Sequence, residues 1–318
     1  MIQGLNSSDA RFLSALEKIN ARMETAQSQL SSGLKLQKAS DAPDSVSAVL
    51  SARASLAQTT QIALNLASAQ SEADTSEKTI QTVETLLERL RSIGSQGASE
   101  TLAPDSRKTI AVEVSSILEQ LINASATSVG GRYVFGGDTD TTAPYTLIPA
   151  TDITEAAVSD FNGSESTRQI MHPNGTTFPV SHSAKDIFDA DDGSVFQAVT
   201  ALRDALLAVP TSAEGTTAYQ TEYDAQTTQI TTALDSIKAA STHISGQLAF
   251  YGVVQNRITE ATNYASKLKL QQQQQLSTAQ DADITAAALE LVQAQTQQST
   301  AMSARAKLRS TSLFDYLS

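Results

Sequence analysis

No cysteine occurs among the 318 residues, which excludes disulfides, thiol catalysis and thiolate metal sites. Tryptophan is also missing, and aromatic residues make up only 5% of the chain. That composition is poor in the side chains that usually line small-molecule pockets. No run of about 18 apolar residues is present, so the sequence carries no membrane-spanning helix and gives no sign of membrane insertion. Lys and Arg number 22 against 34 Asp and Glu, a net charge of −12, which argues against a nucleic-acid partner. Met1 to Arg11 lacks the basic and apolar pattern of a cleaved secretory signal. Only seven prolines are present; Pro144, Pro149, Pro173 and Pro179 cluster in the middle, and none follows Pro210. Proline interrupts helices, so the flanks read as helical and the middle does not.

What is present suits long helices packed by Ala, Leu, Ile and Val. From Asp281 to Ser318 there is neither proline nor glycine. Ile284, Ala287, Leu291, Ala294, Ala301 and Leu308 fall on a 3,4 spacing, one stripe of a helix, with Gln298 and Arg305 interrupting the same line. So thin a stripe, made largely of alanine, does not hold a lone helix in water. The matching stripe lies at the other end. Phe12, Leu16, Ile19, Met23, Ala26 and Leu30 step by heptads, and Gly33 stands where helices often stop. The two terminal helices are expected to form an antiparallel pair that completes its packing against neighbouring copies.

Between them, Asp41-Ala42-Pro43-Asp44 reads as a helix start, with Asp41 as the cap. Apolar residues then recur to Ile93, and Gly94 and Gly97 end the helix. Ala103-Pro104-Asp105 opens the next, carrying Ile110, Val114, Ile117 and Leu121, with Gly130-Gly131 as its stop. Strand candidates follow: Tyr133 to Phe135, Tyr145 to Ile148, Arg168 to Met171 and Thr176 to Val180, with Asn162-Gly163 and Asn174-Gly175 as hairpin turns. Asp138 to Asp192 holds ten acids against two bases, a solvated outer face. Ser194 to Gln197 fits a capping box. After Gly215 a long proline-free stretch keeps helical spacing; Gly246, Gly252 and the run Gln271 to Gln275 are its weak points. The fold class is therefore mainly α with a β-rich insertion: a long antiparallel helical bundle or coiled coil built from both chain ends, plus a small central β domain. The expected divisions are a terminal coiled-coil assembly helix at 1–39, half of a helical rod at 40–136, a β-rich outer domain at 137–192, the other half of the rod at 193–275, and a second assembly helix at 276–318.

No catalytic constellation emerges. His172, His182 and His243 do not form His-Glu-x-x-His. Asp189, Asp191, Asp192 and Gly193 resemble part of a calcium loop, but the glycine comes one place early and Thr200 stands where the closing Glu belongs; a solvated turn fits better. The glycines around Arg132 to Phe135 lack Gly-Lys-Ser/Thr and precede no helix. Carboxylates are plentiful, but no aromatic-lined cleft is expected beside them. No metal site, cofactor or enzymatic activity is predicted.

At both ends the chain resembles the flagellin superfamily. The carrying residues are Gln29-Leu30-Ser31-Ser32-Gly33-Leu34-Lys35-Leu36 with Ser40-Asp41-Ala42-Pro43, and Asp281-Ala282-Asp283-Ile284 with Ser312-Leu313-Phe314-Asp315-Tyr316-Leu317. Within the superfamily, Gly131-Arg132-Tyr133-Val134-Phe135-Gly136-Gly137, with Asn162-Gly163, Arg168-Gln169-Ile170 and Asp186-Ile187-Phe188, is similar to the branch of hook–filament junction subunits. Two residues depart from the pattern: Ala42 replaces a usual second Asp, and Gly136 a usual Ala. The resemblance implies a structural, self-assembling subunit of the bacterial flagellum that joins hook to filament in a homo-oligomer ring. Its implied partners are the adjoining junction protein, flagellin subunits and an export chaperone on the C-terminal helix. The same resemblance implies secretion through the flagellar type III pathway. The assembly interface is expected to use Phe12, Leu16, Ile19, Met23, Leu30, Ile284, Leu291, Met302, Leu308, Leu313, Phe314, Tyr316 and Leu317. The alternatives are a filament-forming flagellin and, from another class, a secreted enzyme or a membrane-active helical protein.

Overall fold

A computed structural model describes residues 3–35, 43–99, 102–150, 152–191 and 193–310. Its helices are α1 (Gln3–Ser32), α2 (Pro43–Gly97), α3 (Pro104–Ser125), α4 (Ala184–Phe188), α5 (Val195–Leu207), α6 (Thr217–Gln280) and α7 (Ile284–Ser310). Between α3 and α4 lie three antiparallel hairpins: β1 (Ser128–Val129) with β2 (Arg132–Tyr133), β3 (Leu147–Ile148) with β4 (Ala157–Val158), and β5 (Gln169–Met171) with β6 (Thr177–Pro179). The fold is mainly α, with long helices drawn from both ends and small sheets in the middle. The chain forms two compact units, residues 1–59 with 267–318, and residues 60–266.

The core of the second unit is a heptad seam. In α2, Ile62, Leu66, Ala69, Ala73, Ile80, Val83, Leu87 and Leu90 are buried, with Ser76 continuing the 4,3 rhythm. In α6, Ile230, Ala233, Ile237, Ala240, Ile244, Tyr251, Val254, Ile258, Ala261 and Ala265 do the same. Such spacing keeps one apolar stripe turned toward a partner helix along its whole length. Polar bonds flank the seam and run in opposite order along the two helices, the mark of antiparallel neighbours: Ser245 Oγ donates to Glu84 at 3.1 Å, and Gln255 Nε2 donates to Asp74 and Glu77 at 3.0 and 2.6 Å. The seam explains why α6 runs unbroken through Gly246 and Gly252, where the sequence suggests joints; Gln271 to Gln275, beyond the seam, are helical as well. The residues facing the core stay in register across both glycines, so burial outweighs their cost of about 1 kcal/mol each.

Gly130-Gly131 does not stop α3, which ends at Ser125. Both glycines have positive φ, 60° and 81°, and make the two-residue turn between Val129 and Arg132. Two consecutive positive φ values fit a primed hairpin turn, which favours glycine. Asn174-Gly175 does join two strands, β5 and β6. Asn162-Gly163 joins no strand pair among the described residues; there the chain folds back on the Phe161 ring. The strands β1 and β4, the short helix α4 and its capping box between Ser183 and Asp186 are absent from the sequence expectation. Ser194 caps α5 by accepting from the Gln197 N–H at 3.2 Å. The cap assigned to Asp41 falls outside the described residues.

A buried cation ties the helix ends of this unit together. Arg107 is fully buried. Its guanidinium donates to Gly97 O at 3.0 Å, Ser99 O at 3.2 Å, Thr227 Oγ1 at 3.3 Å and the Gln226 amide oxygen, and lies over the Tyr223 ring at 4.0 Å. Gln226 passes the connection on, donating to Ala205 O and Leu206 O at the end of α5. Burial lowers the Arg107 pKa, while the carbonyl oxygens and the ring face stabilise its charge.

Candidate assembly interface

In the first unit α1 and α7 run antiparallel. Asp9 pairs with Arg305, Gln298 Nε2 donates to Asn20 Oδ1 at 2.9 Å, and Arg22 donates to Gln297 at 3.0 Å and Glu290 at 2.6 Å. The chain folds back again at the other end of the pair: Leu34 and Asp281 form a β-bridge, Lys35 N–H donates to Gln280 O at 2.7 Å, and Ala282 N–H to Gly33 O at 2.9 Å. Gly33, with φ of 71°, ends α1 in the left-handed conformation.

The face that α7 turns to α1 follows the stripe read from the sequence. Ala287 and Ala294 are buried, and Leu291, Gln298, Ala301 and Arg305 are half-buried. Gln298 and Arg305, the two polar breaks in that stripe, are the residues that reach across. Gln298 bonds Asn20, and the Arg305 guanidinium pairs with Asp9 and sits 5.3 Å from the centre of the Phe12 ring. On α1, Ala26 is buried, while Phe12, Leu16, Ile19, Met23 and Leu30 are each half-buried. Hydrogen bonding and charge attraction from Glu290 raise the Arg22 pKa, so this cation stays charged throughout the physiological range.

Much apolar surface is left over. Ile284 and Met302 are exposed, at 49% and 53%, and so are Leu13, Leu289 and Val292 at 57% or more. The sequence reading names the first two as interface residues and misses the last three. Leu289 and Val292 lie three apart, neighbours on one helix face, and that spacing is the signal that identifies them. Leu308 belongs to α7, but its side chain is not among those described. Leu313, Phe314, Tyr316 and Leu317 lie outside the described residues.

Two features of the second unit bear on the junction-like motif. Arg132 and Arg168 share Asp140, and Arg168 also pairs with Glu72 of α2, so the motif is held to the long helices through charge. A methyl group at Gly136 would meet Thr139 O at 2.9 Å, a physical reason for glycine where the junction-subunit motif usually has alanine. The expectation that no aromatic-lined cleft accompanies the carboxylates is corrected here. Tyr145, Phe161 and Phe196 line a groove of about 580 Å³ together with Asp160, Asp189 and Asp204. Asp189 is half-buried and accepts from Ser194 Oγ at 2.7 Å, so its carboxylate is not simply part of a solvated turn.

Comparison with known proteins agrees with this architecture. The bacterial flagellin N-terminal helical region matches residues 5–140, and the bacterial flagellin C-terminal helical region matches residues 218–317. Flagellar hook-associated protein 3 of Escherichia coli is 25% identical over 300 residues, covering 90% of each chain. The protein of the same name from Salmonella typhimurium is 25% identical over 163 residues, 51% of this chain and 49% of its own length. Among solved structures, FlgL of Xanthomonas campestris superposes with a TM-score of 0.60 at 16% identity, covering 71% of this chain and 99% of that one. Hook-associated protein 3 of Legionella pneumophila gives 0.61 at 15% identity, covering 71% and 97%. These two structures share the fold.

Proposed function

The chain belongs to the flagellin superfamily, and on that premise we propose that it is a structural subunit of the bacterial flagellum that joins hook to filament. The observation that carries this reading is the α1–α7 pair. Among the described side chains its internal seam buries Ala26, Ala287 and Ala294 alone, and it leaves Leu13, Leu289, Val292 and Met302 outside. A pair built in this way gains most of its burial from further copies, which offsets the entropy of ordering two long helices. We infer that Phe12, Leu16, Ile19, Met23 and Leu30 with Ile284, Leu291, Met302 and Leu308, and the terminal Leu313, Phe314, Tyr316 and Leu317, form that assembly interface in a homo-oligomer ring. Segments 1–39 and 276–318 are its assembly helices, 40–136 and 193–275 the two halves of the rod, and 137–192 the outward domain.

The adjoining junction protein and flagellin are the neighbours this reading supplies. Export through the flagellar type III pathway, with a chaperone covering the C-terminal helix, accounts for how so incompletely packed a pair reaches its place. Deletion of the gene tests the reading: hooks without filaments, with flagellin shed into the medium, are expected. A filament-forming flagellin makes the opposite prediction for the purified protein. Long filaments grown from this chain alone, seen by electron microscopy, would overturn the junction role.

A further inference from the structure

The two Asn-Gly pairs of the middle region sit in opposite settings. Asn174-Gly175 makes the turn between β5 and β6, and its reactive groups are occupied. The Gly175 N–H donates to His172 O at 2.9 Å. The Asn174 side-chain oxygen accepts from the Thr176 N–H at 3.0 Å and from Thr176 Oγ1 at 2.8 Å. At Asn162-Gly163 the backbone on either side is held, and the reactive groups are not. The Asn162 N–H donates to Pro144 O at 2.9 Å, and the Ser164 N–H donates to Gly136 O at 3.1 Å. Between those two bonds, neither the exposed Asn162 carboxamide nor the Gly163 N–H has a hydrogen-bond partner among the described residues.

That difference bears on reactivity. In an Asn-Gly pair the glycine nitrogen can attack the asparagine Cγ, because the glycine has no Cβ to crowd the approach. The N–Cγ bond forms as the glycine N–H proton passes to solvent base. The Cγ–Nδ2 bond breaks, and the side-chain nitrogen takes a proton from water and leaves as ammonia. Water then opens the cyclic imide. Cleavage of the N–Cγ bond gives aspartate. Cleavage of the bond from nitrogen to the backbone carbonyl carbon gives isoaspartate, whose chain runs through Cγ and is one carbon longer. One water enters and one ammonia leaves. A bonded N–H or carboxamide must first be freed, which adds to the barrier.

We propose that Asn162 is a site of spontaneous deamidation and isomerisation in the folded protein, and that the β5–β6 turn protects Asn174 from the same reaction. The new linkage falls in a closely packed stretch of backbone: a methyl group at Gly163 would meet the Phe161 ring at 2.6 Å and Gly136 O at 3.3 Å. One further backbone carbon at position 162 is expected to pull the Ser164 N–H off Gly136 O, and so to loosen the junction-like motif at that end.

The test is peptide mapping by mass spectrometry of the full-length protein, aged in mildly alkaline buffer and, in parallel, in concentrated urea. In the folded protein Asn162 is expected to convert at least about tenfold faster than Asn174, the rate effect of about 1.4 kcal/mol for opening a hydrogen bond. In urea both pairs lose their partners, and the two rates should come within about threefold of each other. Equal rates in the folded protein, faster conversion at Asn174, or no conversion at Asn162 while the unfolded chain converts would overturn the proposal. A ratio unchanged by urea would also overturn it, because the cause would then be the flanking sequence and not the fold. Hydrogen exchange at Ser164 reads the structural consequence. It should quicken in the isoaspartate fraction and stay slow in Asn162→Asp, which carries the new charge on an ordinary backbone; equal protection in both would overturn the displacement from Gly136.

Discussion

The two units use the same period and different side chains. Along α2 and α6 the 3,4 positions are filled mainly by Leu, Ile and Val, with Leu66, Ile80, Leu87, Leu90, Ile230, Ile237 and Ile244 fully buried. Along α1 and α7 the described side chains buried at those positions are Ala26, Ala287 and Ala294, and the larger ones remain half in water. Each buried methylene contributes about 0.8 kcal/mol, so a leucine at a seam position outweighs an alanine by roughly 2 kcal/mol. Period specifies which helix faces which; side-chain volume decides whether the pair stands alone. The second unit thus buries large side chains along its seam, whereas the α1–α7 pair keeps its larger seam residues only half-buried.

The largest expected effect comes from breaking the complete unit. Leu90→Ala is expected to cost about 2–5 kcal/mol, the usual range for a fully buried leucine. Leu291→Ala, at a half-buried position of the α1–α7 seam, is expected to cost about 1 kcal/mol. Urea denaturation followed by circular dichroism reads the first, and hydrogen exchange confined to α1 and α7 reads the second. Equal costs would mean that the terminal pair is as well packed as the rest.

Arg107 sharpens the contrast from the polar side. The α1–α7 pair holds its cations at the surface, whereas Arg107 is fully buried and pairs with no carboxylate among the described residues. Arg107→Ala leaves the Gln226 amide oxygen and the Gly97 carbonyl without the guanidinium, while Ser99 O keeps the Tyr223 hydroxyl as a donor, at an expected cost of about 2–4 kcal/mol. Weakening should centre on the turn from Gly97 to Pro104 and be visible as faster proteolysis there. Arg107→Met, which refills the volume, should recover part of the loss.

A smaller effect is expected in alkali. Tyr251 is a buried seam residue of α6, and burial pushes its phenol up to about 12, opposed by hydrogen bonds with the His182 N–H and Ser76. A tyrosine in the unfolded chain titrates near 10. The unfolded state therefore releases its proton first, and stability is full below about pH 10 and falls between about pH 10 and 12. Thermal unfolding over that interval should lose on the order of 1–3 kcal/mol, with Tyr251→Phe showing a shallower fall.

How much of this was legible follows from the distance over which each feature is encoded. The heptad stripes, the helix end at Gly33 and the turn at Asn174-Gly175 are local patterns of few residues, and the folded chain shows them. Gly130-Gly131 was legible as a break but not as a hairpin, because its meaning depends on Val129 pairing with Arg132. The strand β4 is two residues long and exists only against β3. The Arg107 clasp joins residues 97, 99, 226 and 227, and the aromatic groove joins 145, 161, 189 and 196. No spacing in a single sequence brings such sets together. Leu289 and Val292 were legible in principle, three apart on one face, but the stronger alanine stripe beside them hides their pattern.

Those two residues give the smallest effect on stability and the sharpest division between the units. Leu289 and Val292 are 60% and 58% exposed, and glutamine is a good helix former. Leu289→Gln/Val292→Gln should therefore change the unfolding free energy of the isolated chain by no more than about 0.5 kcal/mol. If α7 completes its packing against other copies, the same double variant should lose incorporation into flagella while keeping the α1–α7 cross-bonds of Arg22, Gln298 and Arg305. Motility and immunoblots of sheared flagella read incorporation, and denaturation of the purified variant reads stability. Loss of both together would mean that these side chains serve the fold of the single chain. Retention of both would leave the exposed face of α7 without a role in assembly.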